Sequence, residues 1–441
     1  MSFRTALALL TLLSVLHSYS YAEDFGRLTS GPVADGDASL PNGFNLLAEL
    51  TSSDGTPTNL FGVSIAVNGT TVAVGATVDS VNGTPYVGAV YVFEKSANGW
   101  QNMTQVAKLT ASDGVYLTRL GISVAISGNT IVAGAIGVSN SGPAYVFVKP
   151  TGGWTDMTQT AELSHNDGYA YDGFATTVAI SGNAIVAGSA IGAYIYVSPS
   201  GGWINATQAA KLTEGTNEDF GGSVAIQGNT ILADNPAGND GLGSVCVFAK
   251  PPGGWVNTST FEAELTASDA APVSAFGGSL AIEGRTIVIG SPQALGTGES
   301  PPGAVYVYEE PPSGWTSATE TAELTVAGQS NQELGYSVGV SGGFIIAGAP
   351  DARGGGGAGY LFAAPPGGWV TTSSYTKKMA AGHGGLGLSA AIGGSTAYLG
   401  APLQEVGSNV DQGAAYVFGM TAPKNAQFSI RDAEVVVRKP F

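Results

Sequence analysis

The chain has 441 residues and 66 glycines, about twice the usual glycine share, yet no Gly-X-Y period, which excludes a collagen helix. With 44% hydrophobic and 11% charged residues it has the composition of a folded chain, because disordered chains are poor in apolar residues. A net charge of −17 repels phosphate backbones and anionic lipid, so neither nucleic acid nor a membrane surface is an expected partner.

Read in chain order, the first feature is an export signal. Arg4 supplies the positive start, residues 6–16 ("ALALLTLLSVL") the apolar stretch, and "SYA" ending at Ala22 the cleavage site. That stretch is too short to span a bilayer, and no second long apolar run follows. The expectation is a signal peptide at 1–22, a polar leader at 23–43, and an exported product, extracellular or periplasmic, without membrane insertion. The single cysteine, Cys246, cannot form an intrachain disulfide. It stands in "GSVCVF" where sister segments have Tyr, as in "GAVYVF", and reads as a buried structural thiol.

From residue 61 the chain repeats itself. Anchors at Phe61, Leu120, Phe174, Phe220, Phe276, Leu334 and Leu386 are each followed eight residues later by glycine: Gly69, Gly128, Gly182, Gly228, Gly284, Gly342 and Gly394. Fourteen after the anchor comes Gly75, Gly134, Gly188, Asp234, Gly290, Gly348 or Gly400, so only the fourth unit departs. Each unit continues with a strand of the "GAVYVF" type, and all six tryptophans (Trp100, Trp154, Trp203, Trp255, Trp315, Trp369) lie seven residues past its last aromatic. Endings such as "AKLT" or "AELT" then close the first five units. Two-residue turns at Asn-Gly or Ser-Gly suit hairpins, because glycine accepts positive φ there. Four strands per unit, seven units and a period near 50 residues predict an all-β fold, a seven-bladed β-propeller of four antiparallel strands per blade at 44–418. Small residues in the inner strands suit a narrow wedge, and the aromatics suit the wide rim.

Closure is legible too. The seventh unit ends at Phe418 without a Trp-led fourth strand, whereas "LLAELT" at 46–51 is a fourth-strand sequence preceding the first unit. The N-terminal strand is expected to close the ring; "AEVVV" in the tail, 419–441, is the competitor.

The pairs Phe61-Gly62, Phe220-Gly221 and Phe276-Gly277, with "GAP" at 348–350 and 400–402, resemble FG-GAP repeats, the family that includes the integrin α propeller. The resemblance covers about residues 44–418. It implies a calcium loop between strands one and two, but here that connection is only "NGT", "SGN" or similar, with no room for a cage of six oxygens. No cofactor and no metal are therefore expected. "HNDGYAYD" at 165–172 is the nearest thing to a cation loop, in a different connection.

In such blades the loops between strands two and three and the links between blades share one edge, which varies in sequence, while the "NG" and "GGW" turns of the other edge hardly vary. Asp54, Asp113, Asp167 and Asp269 recur at one register, which reads as turn capping. Residues that break the pattern are the candidate ligand contacts: Tyr116, Arg119, Tyr169, Tyr171, Asp172, Glu218, Asp219, Asp351, Arg353, His383 and Glu405. Catalysis has little support, since no H-E-x-x-H, G-x-S-x-G or P-loop occurs. The expected function is a secreted, monomeric binding or adhesion module for a protein or glycan. The alternatives are an exported polysaccharide-degrading enzyme using His383, Tyr169 or Tyr171 and Arg119, or a structural component of an envelope or matrix. Sequons at Asn68, Asn82, Asn102, Asn205 and Asn257 read as chance matches.

Overall fold

Gly69, at φ +60°, turns Phe61–Asn68 back onto Thr71–Ala76, and the equivalent turn glycines of the other six units all lie between +57° and +62°. Each such hairpin begins a blade. In blade one the pair is followed by Ala89–Glu94 and Ala107–Thr110, giving four antiparallel strands from the axis to the rim. The computed structural model describes residues 44–420 except 138–140, 168–170, 216–218, 272–273, 295–301, 328–331, 353–354 and 383. The expected signal peptide, the leader and residues 421–441 lie outside the described residues, as do the candidates Tyr169, Glu218, Arg353 and His383.

Seven such sheets form a ring, a seven-bladed propeller. Each unit's first strand packs beside those of its neighbours, and the first strand of blade one meets that of blade seven. The only helical segment among the described residues, Gly238–Gly241, is a single turn with Asn239 and Asp240 at left-handed φ. The ring closes as the sequence suggests: Phe44–Thr51 pairs antiparallel with Ala414–Met420, Leu46 opposite Phe418 and Leu50 opposite Ala415.

Three repeated devices hold blade to blade. At three residues past the anchor stands a hydroxyl in every unit, and Ser64, Thr177, Ser279, Ser337 and Ser389 donate to Gly121, Gly222, Gly335, Gly387 and Gly62 carbonyls of the next blade at 2.7–2.9 Å. These residues line a central cavity of about 260 Å³, so the innermost strand has one face toward the axis, while the second strand is the one buried on both faces. The glycine fourteen past the anchor is the second device. A Cβ at Gly75, Gly348 or Gly400 would lie 1.9–2.0 Å from a carbonyl of the neighbouring blade, so only hydrogen fits. The narrow wedge thus acts through backbone contact in the second strand.

The third device was not visible in the sequence. After its tryptophan, each unit first runs along the outer strand of the preceding blade, parallel to it, before forming its own fourth strand. Leu50 pairs with Met103, Leu109 with Met157, Leu163 with Ala206, Leu212 with Thr258, Leu265 with Ala318 and Leu324 with Thr372. One residue earlier, a side-chain oxygen of Asn102, Asp156, Asn205, Asn257, Ser317 or Thr371 accepts a backbone N–H of the blade it crosses. Three of the five sequon asparagines therefore serve as straps. The tryptophans wedge beside these straps and are only 7–9% exposed.

Candidate ligand-binding edge

The edge formed by the interblade links and the loops between strands two and three is built on a tyrosine frame. Tyr91, Tyr145, Tyr194 and Tyr306 of the third strands donate to Asp54, Asp113, Asp167 and Asp269 of the incoming links at 2.7–3.0 Å. The recurring aspartates are thus acceptors for a tyrosine from elsewhere in the blade, a partner that local turn chemistry does not show. Burial and the adjacent carboxylates push each of these phenols far above its usual range.

What neutralises the aspartate differs between blades. In blade one Lys108 lies 2.5 Å from Asp54 and 2.7 Å from the buried Asp79. Burial opposes ionisation of Asp54, yet the hydrogen bonds from Lys108 and Tyr91 hold its carboxyl below the ordinary value. Lys211 does the same for Asp167 in blade three. Blades two and five have Glu162 and Glu323 at that register, and desolvation together with Asp113 or Asp269 raises both glutamates.

Between blades two and three the structure assembles a group that the sequence only hinted at. His165 takes the register that is Ser52, Ala111 or Ala267 in other links, and it stacks on Phe174 and Tyr194 at 4.7 and 5.1 Å. Its Nε2 lies 3.3 Å from Ser141 Oγ and 3.4 Å from Asp172 Oδ2, while Nδ1 has no partner among the described residues. A Ser-His-Asp relay needs the carboxylate on the nitrogen opposite the serine, so this trio does not have that arrangement. The side chains of His165 and Asp172 are only 8% and 2% exposed. Asp172, a candidate contact from sequence, instead accepts the Phe174 N–H and faces inward, at a register that carries the buried Asn59, Thr118 and Ser274 in other links.

The remaining described candidates stand at separate seams around the ring. Tyr116 is 52% exposed and packs edge-on against Tyr86 at 5.6 Å between blades one and two. Arg119, three residues on, donates its backbone N–H to Tyr86 from a left-handed conformation, φ +52°. Tyr171 is 74% exposed at φ +65°. Asp219 adjoins the anchor Phe220 and acts electrostatically on the buried Asp234, whose carboxyl burial pushes up to about 7. Asp351 adjoins Glu333, which burial and that neighbour also push up to about 7. Glu405 faces Asp411 across the loop of blade seven and helps raise it, after desolvation. No common cavity collects these residues; Tyr116 and Arg119 share a link, and Tyr171 and Asp172 share another. Among the described residues no group of three or more His, Cys, Asp or Glu could hold a metal ion.

Comparison with known proteins fits this architecture. A family model described as FG-GAP repeat matches residues 44–93, 103–147, 157–197 and 259–308. The chain is an FG-GAP repeat protein. Among curated proteins no sequence matches it. The first matched segment runs from the closing strand of blade seven to the third strand of blade one, and each of the other three runs from a strap on one blade, through the fourth strand of the next, to the third strand of the one after, so the repeat in sequence straddles blades in space. The unmatched stretches fold as blades too, including blade four, where Asp234 replaces the packing glycine and Cys246 fills the buried tyrosine slot.

Proposed function

We propose that this FG-GAP propeller is a secreted, non-enzymatic binding or adhesion module that presents its loop-rich edge to a protein or glycan ligand. The carrying observation is that every described non-glycine residue at positive φ lies on that one edge, from Thr58 and Tyr86 through Leu117, Arg119 and Tyr171 to Glu333 and Asp411. Such conformations are costly and persist where surrounding structure enforces them, often at functional sites. Part of the set is architectural, since Leu60, Arg119, Ala275 and Glu333 all directly precede an anchor. Tyr171 shares its register, three before an anchor, with Thr58 and Leu117, and Tyr86 shares its own, two before the glycine that opens the third strand, with Asp411, so these too are architectural; what sets Tyr86 and Tyr171 apart is that with Val115 and Tyr116 they leave aromatic and apolar surface on the sector between blades one and three. Exposed aromatic groups on rigid backbone are good anchors for protein and sugar surfaces.

A glycan array run beside a polysaccharide-degradation screen tests this reading. Saturable binding without turnover is the expected result, and Tyr116→Ala or Tyr171→Ala should weaken it roughly tenfold, the size of a modest anchor. Turnover of any polysaccharide would replace the proposal with the enzymatic alternative.

A further inference from the structure

At the seam between blades four and five the repeated packing breaks down. Six units carry glycine fourteen past the anchor, tight against the next blade, and unit four carries Asp234. The neighbouring blade stands off accordingly. At three other seams a Cβ on the glycine that opens the third strand, Gly88, Gly303 or Gly357, would lie 2.2–2.3 Å from the backbone of the next anchor. At Gly243 the nearest atom is the Phe276 Cβ, 3.3 Å away, and among the described residues no bridge joins these two as one joins Gly88 to Leu120 or Gly357 to Leu386. The hydroxyl ring is interrupted at the same place. Five of its members donate to the next blade and Ser123 accepts the Val178 N–H, whereas the Ser223 hydroxyl has no partner among the described residues, although Ser223 is only 8% exposed.

The interrupted seam leaves a carboxylate beside the central cavity. Ser223 lines that cavity, and its backbone N–H donates to Asp234 Oδ1 at 2.7 Å. Two past the anchor, where Val63, Ile122, Tyr336 and Leu388 line the cavity, units four and five have Gly222 and Gly278, both exposed. Apart from its chain neighbours, a Cβ at Gly222 would meet only the two Asp234 carboxylate oxygens, at 3.7 and 3.8 Å. The carboxylate thus walls an open space on the axial side. No Lys, Arg or His pairs with it among the described residues, and the charge that acts on it, Asp219, has the same sign.

We propose that this gap binds an ammonium group, held by the Asp234 carboxylate and the Ser223 hydroxyl, with the attached aliphatic chain lying in the central cavity. An ammonium offers only donors, and both groups accept. A calcium ion would need six or more oxygens, and among the described residues no three acidic, His or Cys side chains gather to supply them. The cavity, about 260 Å³, exceeds the roughly 150 Å³ that holds a benzene ring, and Val63, Ile122 and Leu388 give it apolar walls. The site stands apart from the exposed tyrosines between blades one and three, so it holds whether or not that sector binds a ligand.

The test is calorimetric titration of the full chain with n-butylammonium and, separately, with N-acetyl-lysine N-methylamide, which carries the same group on a peptide backbone. Saturable binding of either supports the site, the first alone pointing to a free amine and the second alone to a lysine of a protein ligand. Burial holds the empty carboxyl up at about 7, and a bound cation requires it ionised. Binding at about pH 6 should therefore release about one proton, read from the dependence of the heat on the buffer, and affinity should rise roughly tenfold between about pH 6 and about pH 8. Asp234→Asn, shown to be folded by its melting temperature, should weaken binding at least about tenfold, and Ser223→Ala about threefold. Saturation by neither probe overturns the proposal, as does unchanged affinity in Asp234→Asn.

Discussion

Blades one and five carry the same frame, a third-strand tyrosine donating to a link aspartate, and differ in the charge set beside it: Lys108 next to Asp54 and Asp79, against Glu323 next to Asp269. In blade one the cation draws the carboxylates into a closed network. In blade five desolvation and carboxylate neighbours act together on Glu323, and the tyrosine is the one donor seen to Asp269. The frame therefore does not need the cation to form; packing of the tyrosine sets the geometry and the charge sets its pH response.

The largest expected effect breaks the network of blade one. Lys108→Met should lower stability in chemical denaturation by about 3 kcal/mol, because it leaves the buried Asp79 without its cation. A loss under about 1 kcal/mol would mean that Asn59 and Tyr91, which also donate to Asp79, suffice.

The comparison extends to Asp234 of blade four, a buried acid where other units have glycine. Its pKa is raised to about 7, above the ordinary 3.8, so the folded state holds this proton more tightly than the unfolded chain. Its cost is absent below the unfolded value, grows as pH rises from about 4, and is complete above about 7. Asp234→Asn should accordingly stabilise the fold by on the order of 3 kcal/mol at pH 8 and by almost nothing at pH 4, read as melting temperature against pH. Gain at acid pH instead would reverse the assignment.

Tyrosine deletion sharpens the contrast further. Tyr91→Phe removes a donor shared by Asp54 and Asp79 and should cost about 2 kcal/mol, whereas Tyr306→Phe removes one bond to Asp269 and should cost about 1 kcal/mol. Equal losses would show that ring packing, common to both, dominates. The smallest effect converts one blade into the other: Glu323→Lys should stabilise by about 0.5 kcal/mol at pH 7, since the site is half-exposed, and the gain should vanish in high salt.

The register of the frame was legible, since Asp54, Asp113, Asp167 and Asp269 recur at one spacing, but its partner was not. Tyr91 reaches Asp54 across 37 residues, and nothing in a turn sequence names an acceptor so far away. Asp172 failed as a surface candidate for a related reason: it breaks the sequence pattern because it meets His165, which also breaks it, and two irregular residues that satisfy one another look like a binding site when read singly. Tyr116 and Tyr171 are exposed as a loop reading implies, yet the described candidates circle the ring without converging.

Sequence by itself determined the number of blades, the strand order, the turn glycines and the closing strand, because each depends on spacing along a repeating chain and on φ preferences that a residue carries with it. Only the tertiary structure decided which contacts join the blades. The hydroxyl ring of Ser64 and its counterparts, the carbonyl pressed against Gly75, the straps that follow each tryptophan and the pairing of His165 with Asp172 all arise where two blades meet. A repeat encodes its own strands locally, whereas the chemistry between repeats depends on how tightly the wedge closes, and that is fixed by the whole ring.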